Sequence, residues 1–122
     1  KGNSKEAIRE SVSSQFKLDL SFTIESIRPH YRPDVTCKAT VPHAIVAFLD
    51  SHDHTSALRL AISLGGDTDT LACMAGGIAA AYYGKIAPEL EDFVEAILPD
   101  EFNAVLAALP EASPAENELS EA

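Results

Sequence analysis

Cysteine is scarce in this sequence: the two present, Cys37 and Cys73, form neither a close pair nor a zinc-type spacing. They read most simply as reduced, packed thiols of a cytoplasmic protein. Basic residues are scarce as well. With 9 Lys and Arg against 19 Asp and Glu, the formal charge is −10, which argues against a nucleic-acid surface, since phosphate binding needs clustered cations. An acidic chain is suited instead to solubility and to a divalent cation. No apolar run reaches the roughly 18 residues of a membrane span, and no apolar segment of signal-peptide type follows Lys1-Gly2-Asn3-Ser4. The chain does not open on methionine, which fits one that was cut or processed.

Alternation of apolar and polar residues, the mark of a half-buried strand, is missing too. The remaining pattern is helical throughout. A length of 122 residues with 46% hydrophobic residues suits one globular domain. The expected class is all-α, a compact orthogonal bundle of about six to seven short helices over residues 1–110. From Pro110 the composition turns to Glu, Ala, Ser and Pro, so residues 111–122 read as a disordered acidic tail.

In chain order, Ile8, Val12 and Phe16 recur every four residues and predict an amphipathic helix over 5–16, with Asn3 and Glu6 at the spacing of a capping pair. Lys17 to Leu20 breaks it. Phe22, Ile24 and Ile27 predict a short helix, with a strand as the alternative, stopped by Pro29; His30 to Asp34 reads as a loop. A helix is expected to start at Thr40 or Val41 with Pro42 in its first turn and Ala44, Ile45, Phe48 and Leu49 as its buried stripe. Further helices are predicted over 55–64, 70–83, 88–98 and 101–109. Gly65 and Gly84 stand where left-handed caps are wanted.

The most informative stretch is Leu64-Gly65-Gly66-Asp67-Thr68-Asp69-Thr70. In a regular helix, residues two apart point about 200° from each other, so Asp67 and Asp69 can converge only in a turn entering a helix. The glycine pair makes such a turn accessible. Two carboxylates about 4 Å apart repel by about 4 kcal/mol at an effective dielectric near 20, so convergence calls for a cation or a proton. A hard ion such as Mg²⁺ takes oxygen ligands; Asp67, Asp69 and the Thr70 hydroxyl supply them. Gly65, Gly66 and Thr68 lie at the helix N-terminus, where N–H groups can face an anionic substrate. The plainer alternative is an aspartate that merely caps the helix. An EF-hand starting at Asp67 would need oxygen donors at Leu71 and Ile78 and a glycine at Ala72. A haloacid-dehalogenase motif would need Thr at Leu71 and a hydrophobic strand before Asp67, and neither pattern is met.

With Cys37, Val41-Pro42-x-Ala44, Phe48, Ala61 to Leu64, Gly65 to Thr70 and Ala79 to Gly84, the chain resembles the ADP-ribosylglycohydrolases of the dinitrogenase-reductase-activating type, over roughly Ser4 to Leu109. That resemblance implies an all-α fold and two Mg²⁺ or Mn²⁺ ions that serve hydrolysis of the glycosidic bond to ADP-ribose. It implies metal ligands at Asp67, Asp69 and Thr70, with Asp69 a candidate to bridge both ions. The implied partners are an ADP-ribosylated protein or a small ADP-ribose conjugate. Family members are about twice this length. Their Gly-Asp-x-x-Gly segment, acidic catalytic residue and Thr-Asp-Asp ligands have no counterpart in Lys1 to Asp34. The expectation is therefore the C-terminal part of such a hydrolase, with no catalytic residue of its own and inactive unless an N-terminal half, as a separate chain, completes it. The alternative is a non-catalytic structural or binding module of the same fold.

Other residues invite bland readings. His43, His52 and His54 fit solvated helix-start and turn positions rather than a metal pair. Tyr82 and Tyr83 fit closure of a core, and Ser63 a plain helix end.

Overall fold

The computed structural model describes residues 2–110; the acidic tail expected over residues 111–122 lies outside the described residues. Seven α-helices and no strand occur among them: α1 Lys5–Phe16, α2 Ile24–Ile27, α3 Cys37–Asp50, α4 His54–Ser63, α5 Thr68–Tyr83, α6 Pro88–Ile97 and α7 Asp100–Ala108. The all-α expectation holds. The described residues form two compact units, one over Gly2–Ala87 and one over residues 88–110.

In the first unit, α1 begins where Ser4, not Asn3, accepts the Ala7 N–H through its hydroxyl. It ends at Lys17 in a left-handed conformation, φ 53°. The Lys5 ammonium ties the helix to the next layer. It donates to the carbonyls of Phe48, at 3.1 Å, and Ser51, and sits 5.1 Å and 5.2 Å from the Phe48 and Tyr83 ring centres. A cation there meets the negative end of the α3 dipole and two aromatic faces. Asp50, at the other face of that helix end, accepts the first N–H of α2, Ile24 N, at 2.8 Å. That bond adds to the local capping box of α2, in which the Thr23 hydroxyl accepts the Ser26 N–H and the Ser26 hydroxyl accepts the Thr23 N–H.

The stop expected at Pro29 holds: α2 ends at Ile27, and Pro29 sits in the 3₁₀ turn, Arg28–His30, that follows. One proline expectation is corrected. Helix α3 starts at Cys37 after Thr36, so Pro42 lies inside the helix rather than in its first turn. The earlier start is built by Asp34, which accepts the Thr36 N–H at 2.8 Å and, through its carbonyl, the Thr40 hydroxyl at 3.2 Å. A proline at an interior position removes one ladder bond and usually costs about 3 kcal/mol; burial of Ala44, Val46, Ala47, Phe48 and Leu49 on the same helix offsets it. Ile45, expected in the buried stripe, is half-buried.

The centre of this unit is α3 with α4 and α5, and its core includes Phe48, Leu20, Ile24, Leu71 and Val46. The small residues of α5 let neighbours close in. A Cβ on Gly76 would stand 2.8 Å from Leu58 Cδ2, whereas one on Gly77 would meet nothing within 4 Å. Close approach therefore accounts for the first helix-interior glycine and not for the second.

In the second unit, α6 and α7 flank the Pro99 break. Asn103 Nδ2 donates to the carbonyls of Glu95, at 2.8 Å, and Leu98, at 3.3 Å, which satisfies the end of α6. Phe93, Ile97, Phe102, Val105 and Leu106 are exposed.

Candidate functional site

The turn between α4 and α5 is made by two consecutive left-handed glycines, Gly65 at φ 80° and Gly66 at φ 72°. Gly65 N donates to Ile62 O at 3.1 Å and closes α4, and Thr68 N donates to Gly66 O at 2.9 Å. The backbone of Gly66 lies against a loop from far earlier in the chain, since a Cβ here would fall 2.7 Å from Pro33 Cβ. Two requirements, a positive φ and the absence of a side chain, thus coincide at one residue.

Asp67 follows at the N-cap of α5, yet its side chain makes no capping hydrogen bond. The capping alternative is not how this carboxylate is used. The Asp69 carboxyl is held below the ordinary carboxylate range first by hydrogen bonding with the neighbouring Asp67 side chain and then by backbone N–H groups of Thr70 and its own residue. The Thr70 N–H reaches Asp69 Oδ1 at 3.0 Å. Asp69 and Thr70 are exposed, while Asp67 and Thr68 are half-buried. The arrangement is an open, oxygen-only donor set at the mouth of a helix.

Tyr31 and Asp34 complete the surroundings. Partial burial raises the Tyr31 hydroxyl pKa above its ordinary value, helped by the negative charges of Asp67 and Asp34. Neither residue was a site candidate in the sequence, where more than thirty positions separate them from the aspartates and no local pattern points to the contact. The Asp34 carboxyl is itself lowered by the Thr36 N–H and side chain.

As a metal centre, the set is right in kind and short in number. Two carboxylates and a hydroxyl suit a hard divalent ion, but no group of three or more His, Cys, Asp or Glu side chains converges among the described residues. The other singled-out residues lie elsewhere. Cys37 and Cys73 are both exposed, against the packed positions expected. His52 is exposed beside Asp53, at 3.6 Å. His54, expected in a solvated turn, is buried at the start of α4, and His43 stands between the Phe22 and Tyr31 rings, 5.4 Å and 5.1 Å away. Tyr83 donates to Ser51 O at 3.0 Å and packs on the core as expected, whereas Tyr82 meets Phe48 edge-on but stays exposed.

A sequence model described as ADP-ribosylglycohydrolase matches residues 4–117. The chain belongs to the ADP-ribosylglycohydrolase family. Among curated relatives, ADP-ribosylhydrolase ARH3 of Gallus gallus is 44% identical over 70 residues, covering 47% of this chain and 19% of the relative. ADP-ribosylhydrolase ARH3 of Homo sapiens and of Bos taurus are 74% and 79% identical over 27 residues, which is 22% of this chain and 7% of each relative. The matches therefore span a minor part of those glycohydrolase relatives. No solved structure matches. No helix among the described residues is long and apolar enough to cross a membrane.

Proposed function

We propose that this ADP-ribosylglycohydrolase-family chain is the C-terminal part of a metal-dependent hydrolase that cleaves the glycosidic bond of ADP-ribosylated substrates, and that it carries half of a binuclear Mg²⁺ or Mn²⁺ site. The observation that carries this reading is that Asp67, although at the N-cap, caps nothing, and stands two residues from the exposed Asp69 in the turn that enters α5, where its side chain acts on the Asp69 carboxyl. Two carboxylates brought together at an exposed turn repel unless a cation or proton lies between them.

Asp67, Asp69 and Thr70 would hold the ions. The chemistry such ions supply when bound is Lewis acidity and a water made nucleophilic at neutral pH. This chain's own part is to orient. The glycine turn fixes where the carboxylates stand, and Gly65, Gly66 and Thr68 offer backbone to an ADP-ribosyl group on a protein or small conjugate. The remaining ligands and the acidic catalytic residue belong to the part of the family domain outside these residues, in the same polypeptide or as a separate N-terminal half, in the cytoplasm.

A second reading, a non-catalytic binding or structural module, is favoured by the absence of a third acidic or imidazole ligand among the described residues. Intact mass and a denaturing gel of the protein purified from its source decide whether an N-terminal partner accompanies the chain. With the partner, Mg²⁺-dependent release of ADP-ribose from an ADP-ribosylated protein is expected, and Asp69→Ala abolishes it. Release undiminished in that variant overturns the ligand assignment, and no release by the completed assembly favours the module.

A further inference from the structure

A cleft of about 680 Å³ opens between the 3₁₀ turn and α4, with Arg28, Arg59, Ser56 and Ser63 in its lining. Basic side chains are few in a chain of net charge −10, and two of them line this one cleft. Arg59 and Ser63 are four apart on α4 and so share a face. Arg28 Nε donates to Ser63 Oγ at 3.1 Å, which ties its guanidinium to the α4 face that carries Arg59 and leaves its two Nη groups for another partner.

Two carboxylates also line the cleft, but each has other work. Asp50 accepts the Ile24 N–H at 2.8 Å and faces Arg9 Nη2 at 3.9 Å. Asp53 accepts the Ser56 N–H at 2.6 Å and faces His52 Nε2 at 3.6 Å, with the Arg59 charge a further, minor influence on its carboxyl. Among the described residues, Arg28 and Arg59 have no carboxylate oxygen within 4.0 Å, whereas Arg9 has Glu6 and Asp50. Two guanidiniums in one cleft, neither in an ion pair within 4.0 Å, offer planar forks that match the oxygens of a phosphate group.

We propose that this cleft binds a phosphate-type oxyanion, with the Arg28 and Arg59 guanidiniums as its counter-charges and Ser63 as the residue that orients Arg28. The ligand that fits is one whose two phosphates, or one doubly charged phosphate, span both guanidiniums. The site is independent of the divalent-ion reading, because it uses none of Asp67, Asp69 or Thr70.

The test is a titration of the full chain with inorganic pyrophosphate in the presence of a chelator, followed by amide NMR at Ser63 and Arg59. Saturable shifts are expected, weakening with added salt. Arg28→Gln and Arg59→Gln should each weaken binding by about tenfold or more, the size of one lost charge-assisted hydrogen bond. Arg32→Gln, outside the cleft, and Asp69→Ala should leave binding in place. Inorganic phosphate should bind more weakly than pyrophosphate. All four substituted positions are exposed, and circular dichroism verifies that the variants fold. Shifts that do not saturate, binding that persists in both arginine variants, or equal affinity for the two anions overturns the proposal.

Discussion

Gly66 and Pro33 are in such close contact that a single methyl group added to the glycine would lie 2.7 Å from the proline Cβ and 2.8 Å from its Cγ. The contact joins the loop before α3 to the turn that presents Asp67 and Asp69. Because the proline ring cannot swing aside and Gly66 has φ 72°, Gly66→Ala combines a clash with a left-handed backbone. A loss of about 2 kcal/mol or more is expected in urea unfolding, while Asp69→Ala, at an exposed carboxylate, stays within about 0.5 kcal/mol.

Gly77 offers the opposite case. With open space around its missing Cβ and a helical conformation, Gly77→Ala should raise stability by up to about 1 kcal/mol. Gly76→Ala gains the same helix propensity but must displace the Leu58 methyl, and should fall clearly below Gly77→Ala in thermal midpoint. Equal gains at both positions would contradict the packing reason assigned to Gly76.

Lys5→Met keeps most of the aliphatic stem and removes the ammonium. The Phe48 and Ser51 carbonyls then lose their cation and the aromatic faces of Phe48 and Tyr83 lose theirs. Destabilisation of about 2 kcal/mol is expected from denaturant midpoints, the range for a hydrogen bond to a charged group. Hydrogen exchange should show α1 loosening first.

Asp53 caps α4, and the Ser56 N–H and side chain hold its carboxyl below the ordinary value of 3.8. A carboxyl whose pKa is lower folded than unfolded contributes stability above the unfolded value and loses it as pH falls through the folded one. Asp53→Asn should therefore be less stable than the parent at neutral pH by an amount that is flat down to about pH 4 and shrinks below it. A gap that widened in acid would contradict this sign. Thermal midpoints from pH 2 to 7 measure it.

Local signals served the reading well where the determinants are local. The four-residue repeat of Ile8, Val12 and Phe16 sufficed to bound α1, and Gly65 and Gly84 marked helix ends because left-handed caps need little more than the residue itself. Pro42 misled because proline at a first turn is the common case; only Asp34, reaching across to Thr36 and Thr40, moves the start back to Cys37. The turn that presents Asp67 and Asp69 was legible from the glycine pair, both members of which take a left-handed conformation. The nearness of Tyr31 and Asp34 was not, because it depends on how the loop after the 3₁₀ turn folds back onto α5. The burial of His54 likewise comes from α5 packing on α4, which no pattern around His52 to His54 encodes.

The central claim is that Asp67, Asp69 and Thr70 form one side of a divalent-ion site. It is tested most directly by titrating Mn²⁺ into the isolated chain, with electron paramagnetic resonance reporting free ion and its coordination. Weak, incompletely coordinated binding is expected, lost in Asp67→Ala and Asp69→Ala and untouched by Arg59→Gln. A tight, fully coordinated ion in the lone chain, or binding that survives both aspartate substitutions, would contradict the account.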